Sequence, residues 1–321
     1  MLRGGKPGRT YPHLITSIPW ARRPSYGRFR EQPVSARAVK IDILSSAPHR
    51  PLRDRPLVYA HRGGAALRPE NTIEAFDHGL SVGADGLELD VHLSRDGAVV
   101  VHHDETLERT TDARGPIAAF TADELARVDA GYWFRGANGD FPFRGRGLSI
   151  PTLRDVLQRY RDARLIIELK MNDPELAART IDEIRAADAM SRVALGSFGW
   201  GVLRAARTIE PRIPTGAARE ETRWALYRSW VGWPLGRTAY REFQVPERSD
   251  KTVIVTPRFV THAHRAGLAV KIWTVNDPLD MQRLLGWGAD ALISDRPDLA
   301  VEVVKSFCST PNSQLPTPNE T

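Results

Sequence analysis

Two acidic side chains, Glu88 and Asp90, lie two positions apart in the apolar stretch LELDV. Because successive residues of a strand point to opposite faces, both carboxylates project from one face, about 7 Å apart. The stretch LIIELK places Glu168 and Lys170 in the same way. Three converging carboxylates repel one another unless positive charge lies among them. The pattern therefore predicts a site that combines acidic groups with a cation.

Two kinds of cation fit this pattern. A hard divalent ion, Mg²⁺ or Ca²⁺, is held by oxygen ligands such as Glu88, Asp90 and Glu168. In the alternative, Arg62 and Lys170 pair with the acids in a structural network. The single charge of Lys170 does not offset three carboxylates, which makes the metal site the simpler hypothesis. These two stretches alone do not decide between the alternatives.

Two histidines follow apolar runs, His61 after PLVYA and His103 at the end of VVVHH. The carboxyl ends of strands are where α/β barrels carry their catalytic groups. Two imidazoles can act as acid and base on opposite sides of one bond. Arg62 and Lys170 can hold an anionic group. Together with a metal ion, these residue types are suited to catalysing nucleophilic attack at phosphorus.

The strands and helices that must position these residues alternate along about 250 residues. The pattern predicts a (β/α)8 TIM barrel, with a doubly wound open sheet as the alternative. Asp96-Gly97 lies between two candidate strands and indicates a hairpin, so one of that pair is expected outside the barrel order. The candidate strands, nine for eight places, are LVYA, GLELDV, AVVVH, LIIEL, RVALGS, RIPTGA, EFQVP, LAVKIWT and ADALIS.

Capping residues mark the predicted helix starts. Asn71 or Thr72 precedes one helix, and Thr121 with Glu124 has capping-box spacing. Three more starts pair a capping residue with proline at the first helical position. These pairs are Asp173-Pro174, Thr256-Pro257 and Asp277-Pro278.

The charge of the chain is unevenly distributed. The 321 residues carry a net charge of +6, but residues 1–55 hold 12 basic and 3 acidic groups, which leaves 33 and 36 for the rest. The basic excess of +9 thus belongs to a leader and the body carries −3, which argues against nucleic-acid binding. We predict a disordered leader over 1–55, with contact to an anionic membrane surface as the alternative. The barrel is expected over 56–305 and a disordered tail over 306–321.

The cellular location is predicted from what the sequence lacks. We find no signal peptide and no apolar run of about 20 residues that would span a membrane. Cys308 is the only cysteine, which fits a reducing compartment. We expect a cytoplasmic protein, with peripheral membrane contact as an option. The sequence predicts no particular oligomeric state.

Two segments do not fit the alternation. Residues 105–150 read as an insertion after the strand that carries His103. Residues 222–236, TRWALYRSWVGWPLG, contain three tryptophans. This second segment predicts either a helix whose apolar residues face the barrel core, or a lid or membrane-contacting helix beside the substrate mouth.

The ordered set of motifs resembles the glycerophosphodiester phosphodiesterases, over about residues 57–303. This resemblance implies a TIM barrel with an insertion and metal-dependent hydrolysis of glycerophosphodiesters to glycerol 3-phosphate and an alcohol. The motifs are HRG at 61–63, PENT at 69–72, ELDV at 88–91, HD at 103–104, IIELK at 166–170, SF at 197–198, WTVND at 273–277 and GADALISDRPD at 288–298.

The same resemblance implies roles for individual residues. His61 and His103 match the acid–base pair, and His103 rather than His102 is chosen because it adjoins the aspartate of the HD motif. Arg62 and Lys170 match residues beside the phosphate. The implied metal ligands are Glu88, Asp90 and Glu168.

Two further residues have alternative interpretations. Glu70 resembles a residue that supports the site through hydrogen bonds, and as an acid at a helix N-terminus it is equally well explained. Trp273 either lines the substrate cavity or packs in the barrel.

The nearest rival activity is that of a phospholipase D acting on lysophospholipids, with 222–236 holding an acyl chain. A non-enzymatic rival is a module that docks on membranes through its leader.

Overall fold

The computed structural model describes residues 55–309, so the predicted leader up to residue 54 and the tail from residue 310 lie outside the described residues. The strands of the described part are β1 (Leu57–His61), β2 (Gly86–Leu93), β3 (Val99–Val101), β4 (Arg164–Leu169), β5 (Val193–Gly196), β6 (Glu242–Pro246), β7 (Arg248–Ser249), β8 (Thr252–Val253), β9 (Ala269–Trp273) and β10 (Ala291–Ser294).

The helices follow the strands along the chain, and a short 3₁₀ turn covers Ile117–Ala119. They are α1 (Ile73–Ser81), α2 (Ala122–Leu125), α3 (Leu153–Arg159), α4 (Pro174–Ala186), α5 (Trp200–Ile209), α6 (Arg219–Val231), α7 (Pro257–Arg265), α8 (Pro278–Gly286) and α9 (Pro297–Ser309).

Seven parallel strands form a nearly closed barrel in the order β5-β4-β2-β1-β10-β9-β6. The (β/α)8 prediction is confirmed at the level of the fold. The stretch RIPTGA, predicted as a strand, forms only single parallel bridges, Leu195 to Thr215 and Gly216 to Glu242. A regular strand is disfavoured there because Pro214 has no N–H to donate. These two bridges nevertheless fill the gap between β5 and β6.

Strand β3 lies outside the barrel order, as the Asp96-Gly97 hairpin signal predicted. It pairs antiparallel with the end of β2, with Val91 opposite Val101. The chain therefore turns back along β2, and the N–H of His102 donates to the carbonyl of Asp90 at 3.0 Å. His103 thus reaches the barrel mouth through this hairpin and not at the end of a barrel strand.

Alternation along the strands separates two environments. On β1, Val58 and Ala60 pack outward against the helices, whereas Leu57 and Tyr59 lie in a small apolar cluster with Ile166 and Ile293. The predicted helix starts are confirmed. Side-chain caps come from Thr72, Thr121, Thr152, Asp173, Thr256 and Asp277.

The segment after His103 packs around its own apolar cluster. Leu107, Ile117, Leu125 and Ile150 are buried together there.

At the other end of the described residues, α9 continues to Ser309, four residues into the range predicted as tail. The prediction of a disordered tail from 306 is wrong for these residues, because α9 buries Val301, Val303 and Val304 and Phe307 packs against the same cluster.

No helix between residues 55 and 309 combines the length and apolar character that crossing a bilayer requires. The cytoplasmic location stays a prediction.

A matched pair of leucines tests where the stability resides. Leu292 on β10 is fully buried, whereas Leu279 on α8 is 74% exposed. We expect Leu292→Ala to lower the free energy of unfolding by about 2–5 kcal/mol. Leu279→Ala should change it by no more than about 0.5 kcal/mol. Urea unfolding of both variants checks this, and equal losses would contradict the assigned core.

Candidate active site

Three carboxylates converge at the end of the barrel where β2 and β4 finish. Glu88 and Asp90 on β2 and Glu168 on β4 each place an oxygen within 4.8 Å of the others. Glu88 and Asp90 are buried and Glu168 is half-buried. Parallel pairing puts Asp90 directly beside Glu168. This cluster has the convergence that the spacing of LELDV and LIIELK predicts.

Two basic side chains reach into the acidic cluster. Lys170 Nζ lies 3.2 Å from Glu168 and 3.5 Å from Asp90, and Arg62 Nε lies 3.3 Å from Asp90. Asn71 donates a further hydrogen bond to Asp90 at 2.9 Å. Both ion pairs of the structural alternative are thus present beside the acids. They leave the three carboxylates with one negative charge more than the two cations offset.

The excess charge perturbs the acids. Burial and the neighbouring Asp90 raise the pKa of Glu88, and the same two causes raise the pKa of Glu168. A carboxyl in a cleft whose pKa is raised by burial and a neighbouring like charge is typical of a functional site. Three oxygen donors with surplus negative charge fit a hard divalent cation.

The turn after β1 positions Arg62. The backbone of Arg62 has a φ of 51°, which is uncommon for a side chain of this kind, and its N–H donates to Glu88. Gly63 follows with a φ of 87°, and a Cβ there would lie 2.6 Å from Cβ of Ala75. Only glycine fits this approach of the turn to α1.

His61 is held by a carboxylate from the far end of the sequence. Its Nδ1 lies 2.6 Å from Oδ1 of Asp295, and its Nε2 lies 3.8 Å from Glu88. Asp295 also accepts a hydrogen bond from Asn276. Although burial opposes the charged ring, Asp295 and Glu88 together raise the pKa of His61.

His103 has a matching partner. Its Nδ1 lies 2.6 Å from Oδ1 of Asp104, and Arg109 bridges Asp104 to Glu70 with contacts of 2.5 and 2.7 Å. Burial lowers the pKa of His103 despite the nearby Asp90 and Asp104. The neighbouring His102 is buried with its Nε2 3.2 Å from the Thr106 carbonyl.

Glu70 forms ion pairs with two arginines of the site. It pairs with Arg62 at 3.0 Å and with Arg109 at 2.7 Å. Burial would raise the pKa of Glu70, but the two guanidinium groups lower it to about 2. Glu70 therefore stays ionised and links the loop of Arg62 to that of His103.

A cavity of about 790 Å³ opens onto this cluster. Its wall contains Trp273, which meets Phe198 edge-on at 5.8 Å between ring centroids, and the cavity continues to Tyr227 and Trp230 of α6. Trp273 thus lines the cavity and also packs against the apolar cluster of the barrel interior. The predicted site residues that line the cavity are His61, Arg62, Glu88, His103, Glu168, Lys170 and Trp273.

The sequence analysis assigned no role in the site to Asp295, Asp104 or Arg109, and it considered Asn71 only as a helix cap. A signal for Asp295 was available, because it directly follows the last predicted strand and so belongs at the barrel mouth. Asp104 adjoins His103 in the sequence. Asn71 belongs to the PENT motif at 69–72. No comparable signal points to Arg109, which lies in an irregular segment.

The comparisons with known proteins agree with this geometry. The model of the glycerophosphoryl diester phosphodiesterase family matches residues 61–299. A glycerophosphodiester phosphodiesterase of Caldanaerobacter subterraneus is 31% identical over 78% of this chain and 98% of its own length. One of Bacillus subtilis is 30% identical over 87% of this chain and 94% of its own.

A solved structure adds a bound product. A phosphodiesterase of Oleispira antarctica in complex with sn-glycerol-3-phosphate is similar to this chain with a TM-score of 0.64 and 26% identity. The match covers 78% of this chain and 97% of the other.

Proposed function

The chain belongs to the glycerophosphoryl diester phosphodiesterase family and is a phosphodiesterase. On that premise we propose that it hydrolyses glycerophosphodiesters to sn-glycerol 3-phosphate and an alcohol. We propose that a divalent cation and two histidines take part in this reaction. One observation carries the proposal. Three acidic oxygens lie within 4.8 Å of one another, and two of the acids, Glu88 and Glu168, line a cavity that two carboxylate-bound imidazoles also line.

The acidic cluster is proposed to hold the metal ion. Glu88, Asp90 and Glu168 supply oxygen donors only, and their surplus negative charge favours Mg²⁺ or Ca²⁺ over softer ions. A divalent cation held there would act as a Lewis acid toward the phosphoryl group. Arg62 and Lys170 enter the same cavity and bind the non-bridging oxygens of the phosphate.

The histidines are proposed to move the protons. Asp295 and Asp104 hold the Nδ1 atoms, which leaves each Nε2 to exchange a proton with the substrate. One imidazole takes the proton from the attacking oxygen, which belongs to water or to a neighbouring glycerol hydroxyl. The other gives a proton to the alkoxide as its bond to phosphorus breaks. The cyclic path then needs a second attack by water.

A second candidate activity is that of a lysophospholipase D. The observation that favours it is the aromatic wall of Phe198, Tyr227 and Trp230 on the same cavity, since an acyl chain needs apolar surface. A hydrolysis panel of glycerophosphocholine and lysophosphatidylcholine with Mg²⁺, Ca²⁺ and a chelator tests both. Release of glycerol 3-phosphate from glycerophosphocholine supports the first activity, and turnover of the lysolipid alone supports the second.

Asp295 is proposed as a positioning residue for His61. We expect Asp295→Asn to lower kcat by about 100-fold or more with little change in KM, because the amide no longer fixes the ring and its proton as the carboxylate does. Steady-state kinetics with a soluble diester measure this split. Asp298→Asn is the control, since Asp298 pairs with Arg296 instead. Equal losses of kcat in both variants would contradict the role of Asp295.

A further inference from the structure

Helix α6 buries one face and leaves aromatic side chains exposed on another. Ala225 and Leu226 lie in the core, whereas Trp224 is 65% exposed and Trp233, just after the helix, is 66% exposed. We define the aromatic patch as the exposed residues Trp224, Tyr227, Trp230, Val231 and Trp233. The predicted alternative of a helix that faces the barrel core thus holds for Ala225 and Leu226, whereas the three tryptophans of the segment are exposed.

The aromatic patch is continuous with the mouth of the cavity. Tyr227 and Trp230 line the cavity, and the ring of Trp224 meets that of Tyr227 edge-on at 6.2 Å between centroids. Neighbouring exposed apolar side chains of this kind are typical of a surface that contacts a partner. A partner on this surface would lie beside the opening of the cavity.

Exposed basic side chains lie on α6 and in the segment that follows it, and two of them, Arg219 and Arg223, line the same cavity as Tyr227 and Trp230. Four arginines and Glu220 are the exposed charged residues between 219 and 241. The other acid on the first turn of α6, Glu221, is half-buried and pairs with Arg207 at 2.7 Å. The arginines are Arg219, Arg223, Arg237 and Arg241. Positive charge beside exposed tryptophan is complementary to a lipid surface, which presents anionic headgroups and has an apolar layer beneath them.

We propose that the aromatic patch docks the barrel on the surface of an anionic phospholipid bilayer, with the cavity mouth toward the lipid. Indole rings favour the interface between water and hydrocarbon, where the ring is buried and its N–H stays hydrated. Arg219 and Arg223, which share the cavity lining with Tyr227 and Trp230, add attraction to anionic headgroups. This contact depends on α6 and not on the catalytic roles proposed above, so it can fail or hold independently of them.

Cosedimentation of the full chain with vesicles tests the docking. We expect binding to vesicles rich in phosphatidylglycerol, and binding about tenfold weaker to vesicles of phosphatidylcholine alone or at high salt. The double variant W224S/W233S should bind the anionic vesicles about tenfold more weakly than the wild type. Neither residue lines the cavity, so hydrolysis of soluble glycerophosphocholine should stay unchanged, which also shows that the variant is folded.

Trp133→Ser is the matched control, because Trp133 is 48% exposed but belongs to the insertion. We expect it to bind vesicles like the wild type. Full vesicle binding by W224S/W233S would overturn the proposal and place the contact elsewhere, the basic leader included. A wild type that ignores vesicles but self-associates through these tryptophans in analytical ultracentrifugation would overturn it in favour of a second copy.

Discussion

Replacing either His61 or His103 by asparagine should lower kcat by about two to four orders of magnitude while the fold persists. Asparagine can keep the hydrogen bond that each Nδ1 now makes, to Asp295 or to Asp104. It has no second ring nitrogen to exchange a proton with the substrate. Turnover of a soluble glycerophosphodiester, with circular dichroism as a check of folding, measures the effect.

His102 provides the control for this experiment. It adjoins His103 in the sequence, but its Nε2 faces the Thr106 carbonyl. Glutamine at this position can preserve that contact, so we expect His102→Gln to retain activity within about tenfold of the wild type. The largest loss that we expect corresponds to the loss of one hydrogen bond of ordinary strength. A loss in His102→Gln as large as that in His103→Asn would show that the wrong histidine of the pair has been assigned.

Removing divalent cations should abolish the activity, and adding back Mg²⁺ or Ca²⁺ should restore it. Without a cation, the phosphate meets three acids and only Arg62 and Lys170 as positive groups, and both of these are already paired with carboxylates. Metal should also stabilise the folded chain, by about 2.7 kcal/mol at one hundred times its dissociation constant. Activity and thermal unfolding are measured before and after chelation. A rate that survives exhaustive chelation would contradict the metal site.

Substitutions in the cluster separate metal binding from general damage. Glu168→Gln should lower the affinity for the cation at least about tenfold in calorimetry, because it removes a charged ligand. Glu242→Gln is the matched control, since Glu242 is also a carboxylate inside the barrel but pairs with Lys271 at 2.7 Å. That variant should keep the wild-type metal affinity. Equal weakening of both variants would argue against the assigned ligands.

Local patterns predicted the parts of the site that single strands determine. Alternation along LELDV placed Glu88 and Asp90 on one face, and the structure brings them together with Glu168. Capping residues located helix starts within one residue because a cap is a short-range interaction. Ordered motifs predicted the family, and the match over 61–299 confirms it.

Contacts between distant segments could not be predicted in the same way. His61 and Asp295 are 234 positions apart and meet because β1 pairs with β10. The bridge from Arg109 to Glu70 depends on how the insertion folds over the loop after β1. The segment RIPTGA has strand-like composition, yet its single proline, Pro214, limits it to single bridges. Each outcome depends on tertiary packing that no local window contains.

The pairing of β1 with β10 has a consequence for the timing of activity during synthesis. His61 emerges early from the ribosome, but its partner Asp295 is translated more than two hundred residues later. A nascent chain therefore holds the carboxylates proposed to bind the metal long before it can align this imidazole. If His61 has its proposed role, we expect catalytic competence only after translation has passed β10.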